Sequence, residues 1–556
     1  MSYPILAIAV LAISVLSLAF ARFSGRFVLA GLAGGGAILV LHGGVYLNYT
    51  SDDAYISYRY AFHLADGAGL VWNNGEHVEG YSNFLWVMML AALKFGGADL
   101  VWSGRVLGLI SGAAAAGLTV VLTQQIGRRD ELSKYAGVVA ALALGTAGPF
   151  ALWSYAGLET PFFAMLVAAA AVLHIRERDN DDVLPVSGVV WALAAMTRPD
   201  AIALFGVSAF FKASDLIFAL EGADAGVRQA KIQRAALWLV GFAAIYVPYF
   251  AWRYATYGWL FPNSFYAKVG SGFDQYRRGL TYLLDFSKEY AAWLILLAPA
   301  ALAVRGIRAS AAMYLLALVA VWGLYVVYVG GDGLLRYRFF AEVLPLFYAL
   351  VAASVASLLA LVKVEDSRAP MLRAGAGCVI GAGLLAFTLQ STPNERRAVV
   401  VPGERRAVEE RAEAGRWLRH NVDPTTSIAI MAAGAIPYES RLTTIDILGI
   451  NDEHIAHRPV PLGEHPAGHE KFDSAYVIGR RPDAIILFDA LEPVTFGRAD
   501  YERLRFALTP AAGDMVSNPD LWKSYTERGI EVRDGEWFSL LVRNDSPLLE
   551  KTSPAP

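Results

Sequence analysis

The chain is poor in cysteine and in charge. Its 556 residues include a single cysteine, Cys378, which excludes a disulfide framework and any zinc site built on paired cysteines. Charged residues make up 17%, where a soluble domain carries about 25%. The 47 Lys+Arg against 50 Asp+Glu give a net charge of −3, so the basic excess of a nucleic-acid binder is missing. No His-Glu-x-x-His helix, phosphate-binding glycine loop, nucleophile elbow or repeat of 20–50 residues is present. What the chain has is apolar surface: 56% hydrophobic residues and a mean hydropathy of +0.42. Disorder of the bulk is excluded on the same ground. This is the composition of a polytopic membrane protein carrying a soluble piece.

A membrane-crossing helix needs about 20 mainly apolar residues. Runs of that kind, some of them short, occupy 4–21, 27–47, 84–98, 103–124, 135–154, 160–175, 185–197, 199–213, 235–255, 291–305, 309–329, 338–362 and 371–389. The expectation is about 11–13 helical spans, because barrel strands would be half as long and would alternate. The first run lacks the basic start of a signal peptide, so it reads as a retained helix. Arg22 and Arg26 follow it, which makes the segment 49–83 extracytoplasmic by the positive-inside rule. The basic stretch Arg128, Arg129 and Lys134 runs against simple alternation. Gly34-Gly35-Gly36 lies within a span and reads as a packing device. Residues 216–234 read as a solvated cytoplasmic loop.

Composition changes near residue 390. This divides the chain into a membrane part, 1–390, and a soluble part, 391–556. In the latter, Glu404–His420 reads as an amphipathic helix, and Ser427–Ala432, Ala484–Phe488 and Trp537–Val542 read as buried strands. A small α/β domain with a frayed tail from Ser546 to Pro556 follows. His454, His457, His465 and His469 do not have metal-site spacing and read as surface residues.

Chemistry is concentrated in a few polar motifs. After the second span comes Ser51-Asp52-Asp53-Ala54-Tyr55, then Arg59, Trp72-Asn73, Glu79, Tyr81 and Asn83. A carboxylate held near the interface could deprotonate a hydroxyl within hydrogen-bond reach. Neighbours at i and i+1 on a helix point apart, so one acid could act as base while the other orients the acceptor or holds a metal. An interfacial loop with solvated acids is the plainer reading. Glu159 precedes a span, and Arg198-Pro199-Asp200 interrupts one. A helix start, with Thr160 and Pro161 opening the next span, explains the first, and a loop between two short spans the second, but charge in apolar sequence is costly and otherwise marks a site. Asn263, Tyr266 and Lys268 follow a later span. Asp332, Arg336 and Arg338 precede another; Asp332 or a phosphate could satisfy the arginines.

Together these segments resemble the GT-C membrane glycosyltransferases, and within them the mycobacterial-type terminal β-arabinofuranosyltransferases. The resemblance rests on Asp52-Asp53-Ala54-Tyr55-Ile56-Ser57-Tyr58-Arg59-Tyr60, Val78-Glu79-Gly80-Tyr81-Ser82-Asn83, Gly157-Leu158-Glu159-Thr160, Arg198-Pro199-Asp200, Pro262-Asn263-Ser264-Phe265-Tyr266-Ala267-Lys268 and Gly330-Gly331-Asp332, with Asp446–Asp452 and Gly468-His469-Glu470-Lys471 in the soluble part. It implies a multi-pass protein of the bacterial plasma membrane with its C-terminal domain extracytoplasmic. It implies transfer of a sugar, arabinofuranose in the nearer branch, from a decaprenyl-type polyprenyl phosphate to a hydroxyl of a cell-envelope glycan such as arabinan. Asp52 is the implied catalytic residue and Asp53 the second candidate. Lys268, Arg198 and Arg338 are expected to hold the donor phosphate. Arg59, Glu79, Tyr81, Asn83, Glu159, Asp200, Asn263, Tyr266, Asp332, Arg336, His469 and Lys471 are expected to bind substrates. No cofactor is certain, and a divalent metal ion stays open with no ligand set. Competing readings are a polyprenyl-phosphate-mannose-type transferase, a transporter or lipid flippase, and a scaffold or sensor.

Overall fold

The computed structural model describes residues 3–127, 131–221, 224–270, 272–334, 336–361, 369–390, 400–504 and 509–555. Arg128 and Arg129, and the composition boundary near 390–391, fall at or outside these limits. Seven helices among the described residues are long and apolar enough to cross a membrane: Tyr3–Ser24, Phe27–Tyr46, Leu100–Ile126, Thr160–Asp179, Ala201–Leu220, Ala225–Tyr257 and Ala309–Tyr328. An eighth results if Glu131–Thr146 and Gly148–Tyr155, bent by 61°, form one span. Five shorter apolar helices, among them Phe84–Phe95, Ser187–Thr197 and Leu344–Ala360, account for the remaining runs. The segment expected to be a loop at 216–234 is largely helical, the end of Ala201–Leu220 and the start of Ala225–Tyr257. Its charged residues sit on these helices and pair with other segments, as in Lys231–Asp181 at 2.5 Å.

By packing, the chain forms two compact units, neither of them continuous. The first comprises Met1–Leu47, Gly104–Trp252 and Gly279–Val399. The second comprises Asn48–Ser103, Arg253–Arg278 and Val400–Pro556. The segment after the second span and the Asn263–Lys268 motif thus pack with the C-terminal part, across the division that composition draws at 390.

The first unit is a helical bundle. Its close contacts explain the glycine run: a Cβ on Gly35 would lie 2.7 Å from Ala116 Cβ and 2.9 Å from the Ala141 carbonyl. Without hydrophobic drive between helices in lipid, such small-residue contacts let backbones approach and gain dispersion.

The second unit is built on a seven-stranded mixed sheet. Its strands are β1 (Ser427–Ile430), β2 (Thr443–Asp446), β3 (Ala484–Ile486), β4 (Leu491–Glu492), β5 (Tyr525–Arg533), β6 (Glu536–Arg543) and β7 (Ser553–Pro554). The order is β2-β1-β3-β6-β5-β7, with β4 also on β6. β1 pairs in parallel with β2 and β3, while β6 is antiparallel to β3, β4 and β5. Alternate residues face opposite sides of a strand. Ala429, Ile445, Ile485 and Leu541 enter one core, and Ile428, Ile430, Ile486 and Leu540 the other. The tail expected to fray instead forms a short helix, Pro547–Lys551, and the strand β7 on β5; Leu548 is buried in the sheet's core and anchors it.

The edge strand β2 is covered by the segment that follows residue 48. Asn73 accepts from Thr444 N at 2.9 Å and donates to Thr444 O at 2.9 Å, extending the ladder with a side-chain amide. Trp72 Nε1 adds a bond to the same carbonyl. Covering an edge in this way removes a template for aggregation.

Candidate active site

Asp52 and Asp53 open the helix Asp52–Ala65, where the helix dipole favours negative charge. As adjacent helical residues they diverge. Asp52 Oδ1 accepts the Ala435 main-chain N–H at 3.0 Å and lies 3.7 Å from Arg411, itself paired with Asp489 at 2.9 Å. Asp52 Oδ2 receives no hydrogen bond from the described residues. Burial raises the Asp52 pKa from its ordinary value; Arg411 and the Ala435 N–H oppose this. The result is a carboxylate fixed through one oxygen, with the other unspent.

Gly434 makes this approach possible. A Cβ there would lie 2.1 Å from the Asp52 carbonyl oxygen and 2.4 Å from its carboxylate. Gly434→Ala is expected to cost about 1–3 kcal/mol through overpacking, seen as a lower Tm. Gly479→Ala, where nothing lies within 4 Å, is the control and should melt like the native chain.

Asp53 turns the other way, to Lys268 Nζ at 3.7 Å. Both side chains are a little over a quarter exposed, and the separation exceeds a direct hydrogen bond. Lys268 ends the helix Asn263–Lys268, and its methylenes pass the Gly468 main chain. His469 sits in the same neighbourhood; burial lowers its pKa, with Lys268 acting in the same direction and Asp53 against it. The structure therefore brings Asp53, Lys268 and His469 together, with Asp52 beside them on the chain.

Several residues expected to bind substrate are committed to the protein instead. Arg59 is buried and donates to Trp72 O at 2.8 Å, Leu442 O at 2.8 Å, Asn73 Oδ1 at 3.1 Å and Pro437 O. Its guanidinium stitches the Asp52 helix to the sheet domain. Glu79 forms a two-point pair with Arg253, at 2.9 and 2.6 Å, and burial pushes its pKa up to about 7 against Arg253. The Tyr81 hydroxyl meets that of Tyr257 at 3.1 Å. Asn83 exchanges hydrogen bonds with Ser57. Asn263 Nδ2 donates to the carbonyls of Gly449, Ile450 and Asp452, clamping the Asp446–Asp452 turn. Lys471 is buried and donates to Ala456 O at 2.7 Å. These side chains shape the site, and burial saturates the groups that a substrate would need. Tyr266 packs against His457, with ring centroids 4.3 Å apart.

The remaining predicted residues lie in the first unit. Arg198 contacts Asp200 at 2.7 Å, Glu159 at 3.2 Å and Glu342 at 3.0 Å, all buried. Its guanidinium also lies 5.0 Å from the Phe339 ring centroid. Arg338 pairs with Asp332 at 2.7 Å, and Arg336 with Glu289 at 3.3 Å. Three carboxyl groups surround Arg198, and Arg338 also acts on Glu159 and Glu342, so both cations are balanced by protein acids. Arg198 and Arg338, expected to hold phosphate, are thus already neutralised by protein.

Glu342, Arg253 and Arg411 were missed in the sequence. Glu342 and Arg253 stand alone within apolar runs, and that cost of intramembrane charge was the available signal. Arg411 has none, being one of many arginines on a charged helix. Among the described residues no three His, Cys, Asp or Glu side chains gather as a metal site.

A family profile described as a domain of unknown function, DUF8728, matches residues 400–533. The terminal β-(1→2)-arabinofuranosyltransferase of Mycobacterium tuberculosis is 26% identical over 276 residues, 46% of this chain and 41% of that protein. The match thus spans about two fifths of the relative's length. ArnT from Cupriavidus metallidurans, solved with undecaprenyl phosphate, superposes with a TM-score of 0.55 at 13% identity, covering 94% of this chain and 99% of that one. The archaeal oligosaccharyltransferase AglB from Archaeoglobus fulgidus, solved with an inhibitory peptide and a dolichol-phosphate, gives 0.52 at 12% identity, covering 95% and 75%. In sequence the chain resembles the arabinofuranosyltransferase, and its fold is that of the GT-C membrane glycosyltransferases.

Proposed function

We propose that the chain is a membrane glycosyltransferase that moves a sugar from a polyprenyl-phosphate carrier to a hydroxyl of a cell-envelope glycan on the extracytoplasmic side. The observation that carries this reading is the divergent acid pair: Asp52 anchored through one oxygen, and Asp53 facing a partly exposed lysine. The lipid phosphates held by ArnT and AglB, which share the fold, support the carrier class. The arabinofuranosyltransferase relative supports arabinofuranose as the sugar and arabinan as the acceptor.

In this mechanism the acceptor O–H gives its proton to Asp52 Oδ2. The oxygen bonds to the anomeric carbon as the bond from that carbon to the phosphate oxygen breaks. The polyprenyl phosphate leaves with the electron pair, and Lys268 neutralises its charge. Lys268 fits because it is balanced by a single loose carboxylate. Positioning by the Ala435 N–H through Oδ1 leaves Oδ2 without a hydrogen bond from the described residues. This sequence describes inversion at the anomeric carbon.

The test is the pH profile of transfer from a panel of polyprenyl-phosphate sugars, arabinofuranose and mannose included. The ionised form of Asp52 is the active one, so kcat/KM should fall as pH drops. Because the pKa of Asp52 is raised, that limb should lie above the ordinary value of 3.8. A flat profile through the acid range contradicts Asp52 as the base.

A further inference from the structure

An open pocket of about 530 Å³ lies in the second unit, lined by Trp259, Glu453, His454, His457, Arg458 and Pro459. The mechanism above does not use it. Its volume is in the range of small-molecule sites, about 300–1,000 Å³. One wall is aromatic: the Trp259 and His457 rings are 3.8 Å apart at their centroids, and the Tyr266 ring lies 4.3 Å from His457 and 5.5 Å from Trp259. Trp259 is still 37% exposed, leaving indole surface for a ligand. The other walls are polar. Glu453 is exposed, and His454 and Arg458 both lean on Asp473, at 3.0 and 3.7 Å. His457 Nε2 is buried with no hydrogen-bond partner.

The chemistry narrows the ligand. Two carboxylates, Glu453 and Asp473, offset the arginine, so an anion gains little here. The mixture of donors and acceptors suits a neutral ligand with many hydroxyls. An aromatic platform beside such groups suits a sugar, whose C–H face covers the ring while its hydroxyls reach the rim.

The pocket is also linked to the acid pair. Tyr266, which backs the pocket, and Lys268, which faces Asp53, belong to one short helix, Asn263–Lys268. Two residues apart on a helix, they project to opposite sides, about 200° around an axis of about 10–12 Å diameter. A glycan reaching both sides is therefore longer than a single sugar.

We propose that this pocket is a subsite for an internal sugar of the acceptor glycan, some residues away from the hydroxyl that reacts. The inference rests on the glycosyltransferase reading for the identity of the glycan, but the binding itself is independent of turnover.

The test uses the full chain in detergent, with a synthetic arabinofuranosyl hexasaccharide and the matching disaccharide as probes. Binding is read by saturation-transfer NMR, and KM by transfer. Trp259→Ala should raise the Kd and KM for the hexasaccharide about tenfold while leaving the KM for the disaccharide and the donor unchanged. Glu453→Gln, at an exposed position, should weaken hexasaccharide binding several-fold and keeps the test clear of folding. Equal effects on both acceptors, or unchanged hexasaccharide binding in both variants, overturns the subsite. Hexasaccharide binding that depends on Trp259 without any transfer leaves the subsite standing and rejects the transferase reading. Transfer that is indifferent to Trp259 does the reverse.

Discussion

Asp52→Asn is expected to lower kcat by about 10²–10⁴-fold, the range of a general base, with the fold intact. The substitution is nearly isosteric. An asparagine oxygen can still accept the Ala435 N–H, and Arg411 keeps Asp489 as its partner. What is lost is the basic lone pair on the free oxygen. Donor binding should be unchanged, because Lys268 pairs with Asp53 and not with Asp52. Asp53→Asn should have a smaller effect on kcat and act on the donor, since it frees Lys268 from its one ion partner among the described residues. Steady-state kinetics with a fixed acceptor and varied donor separates the two. If Asp52→Asn stays within about twofold of the native rate, the base lies elsewhere.

Arg198→Leu is expected to produce the largest loss of stability. Arg198 is the common partner of Glu159, Asp200 and Glu342, and all four side chains are less than a tenth exposed. Breaking a buried pair by removing one partner costs about 3–5 kcal/mol, because an uncompensated charge stays behind; here three acids lose their common partner. The expected result is failure to accumulate in the membrane or a large drop in Tm. The double substitution Arg198→Leu with Glu342→Gln should recover part of the loss, since it removes one orphaned charge. A native Tm for Arg198→Leu contradicts the cluster's structural role. Arg198→Lys should rescue only partly, since an ammonium cannot reproduce the guanidinium fork.

The sequence made the helices legible because apolar runs in a bilayer must be helical; each apolar run read from composition has a helix on it. It was less informative about the ends. The charged stretch at 216–234 read as a loop, yet helices extend through most of it, because charges outside the lipid do not break a helix. Strands β1, β3 and β6 were visible as buried apolar runs. β2, Thr443–Asp446, is short and polar and became a strand only by pairing with β1 and with Asn73. No local pattern carries that information.

For the site, residue types were more legible than roles. Asp52, Asp53 and Lys268 stood out as polar groups flanking apolar runs, and two of them meet. Arg59, Glu79 and Asn263 stood out equally, but their partners include Leu442 O, Arg253 and Gly449 O, far away in sequence. A motif fixes which residues are unusual. Whether the unusual residue touches a substrate or another part of the chain is decided by tertiary packing, which the sequence does not display.

The most direct test of the account is a single-turnover assay on the purified chain with a polyprenyl-phosphate sugar labelled in both the sugar and the lipid. The account predicts that labelled sugar appears on the glycan acceptor as free polyprenyl phosphate appears in equal amount, and that Asp52→Asn stops both together. Consumption of the lipid-linked sugar with no sugar on the acceptor, or its movement across a vesicle membrane unaltered, contradicts the transferase reading.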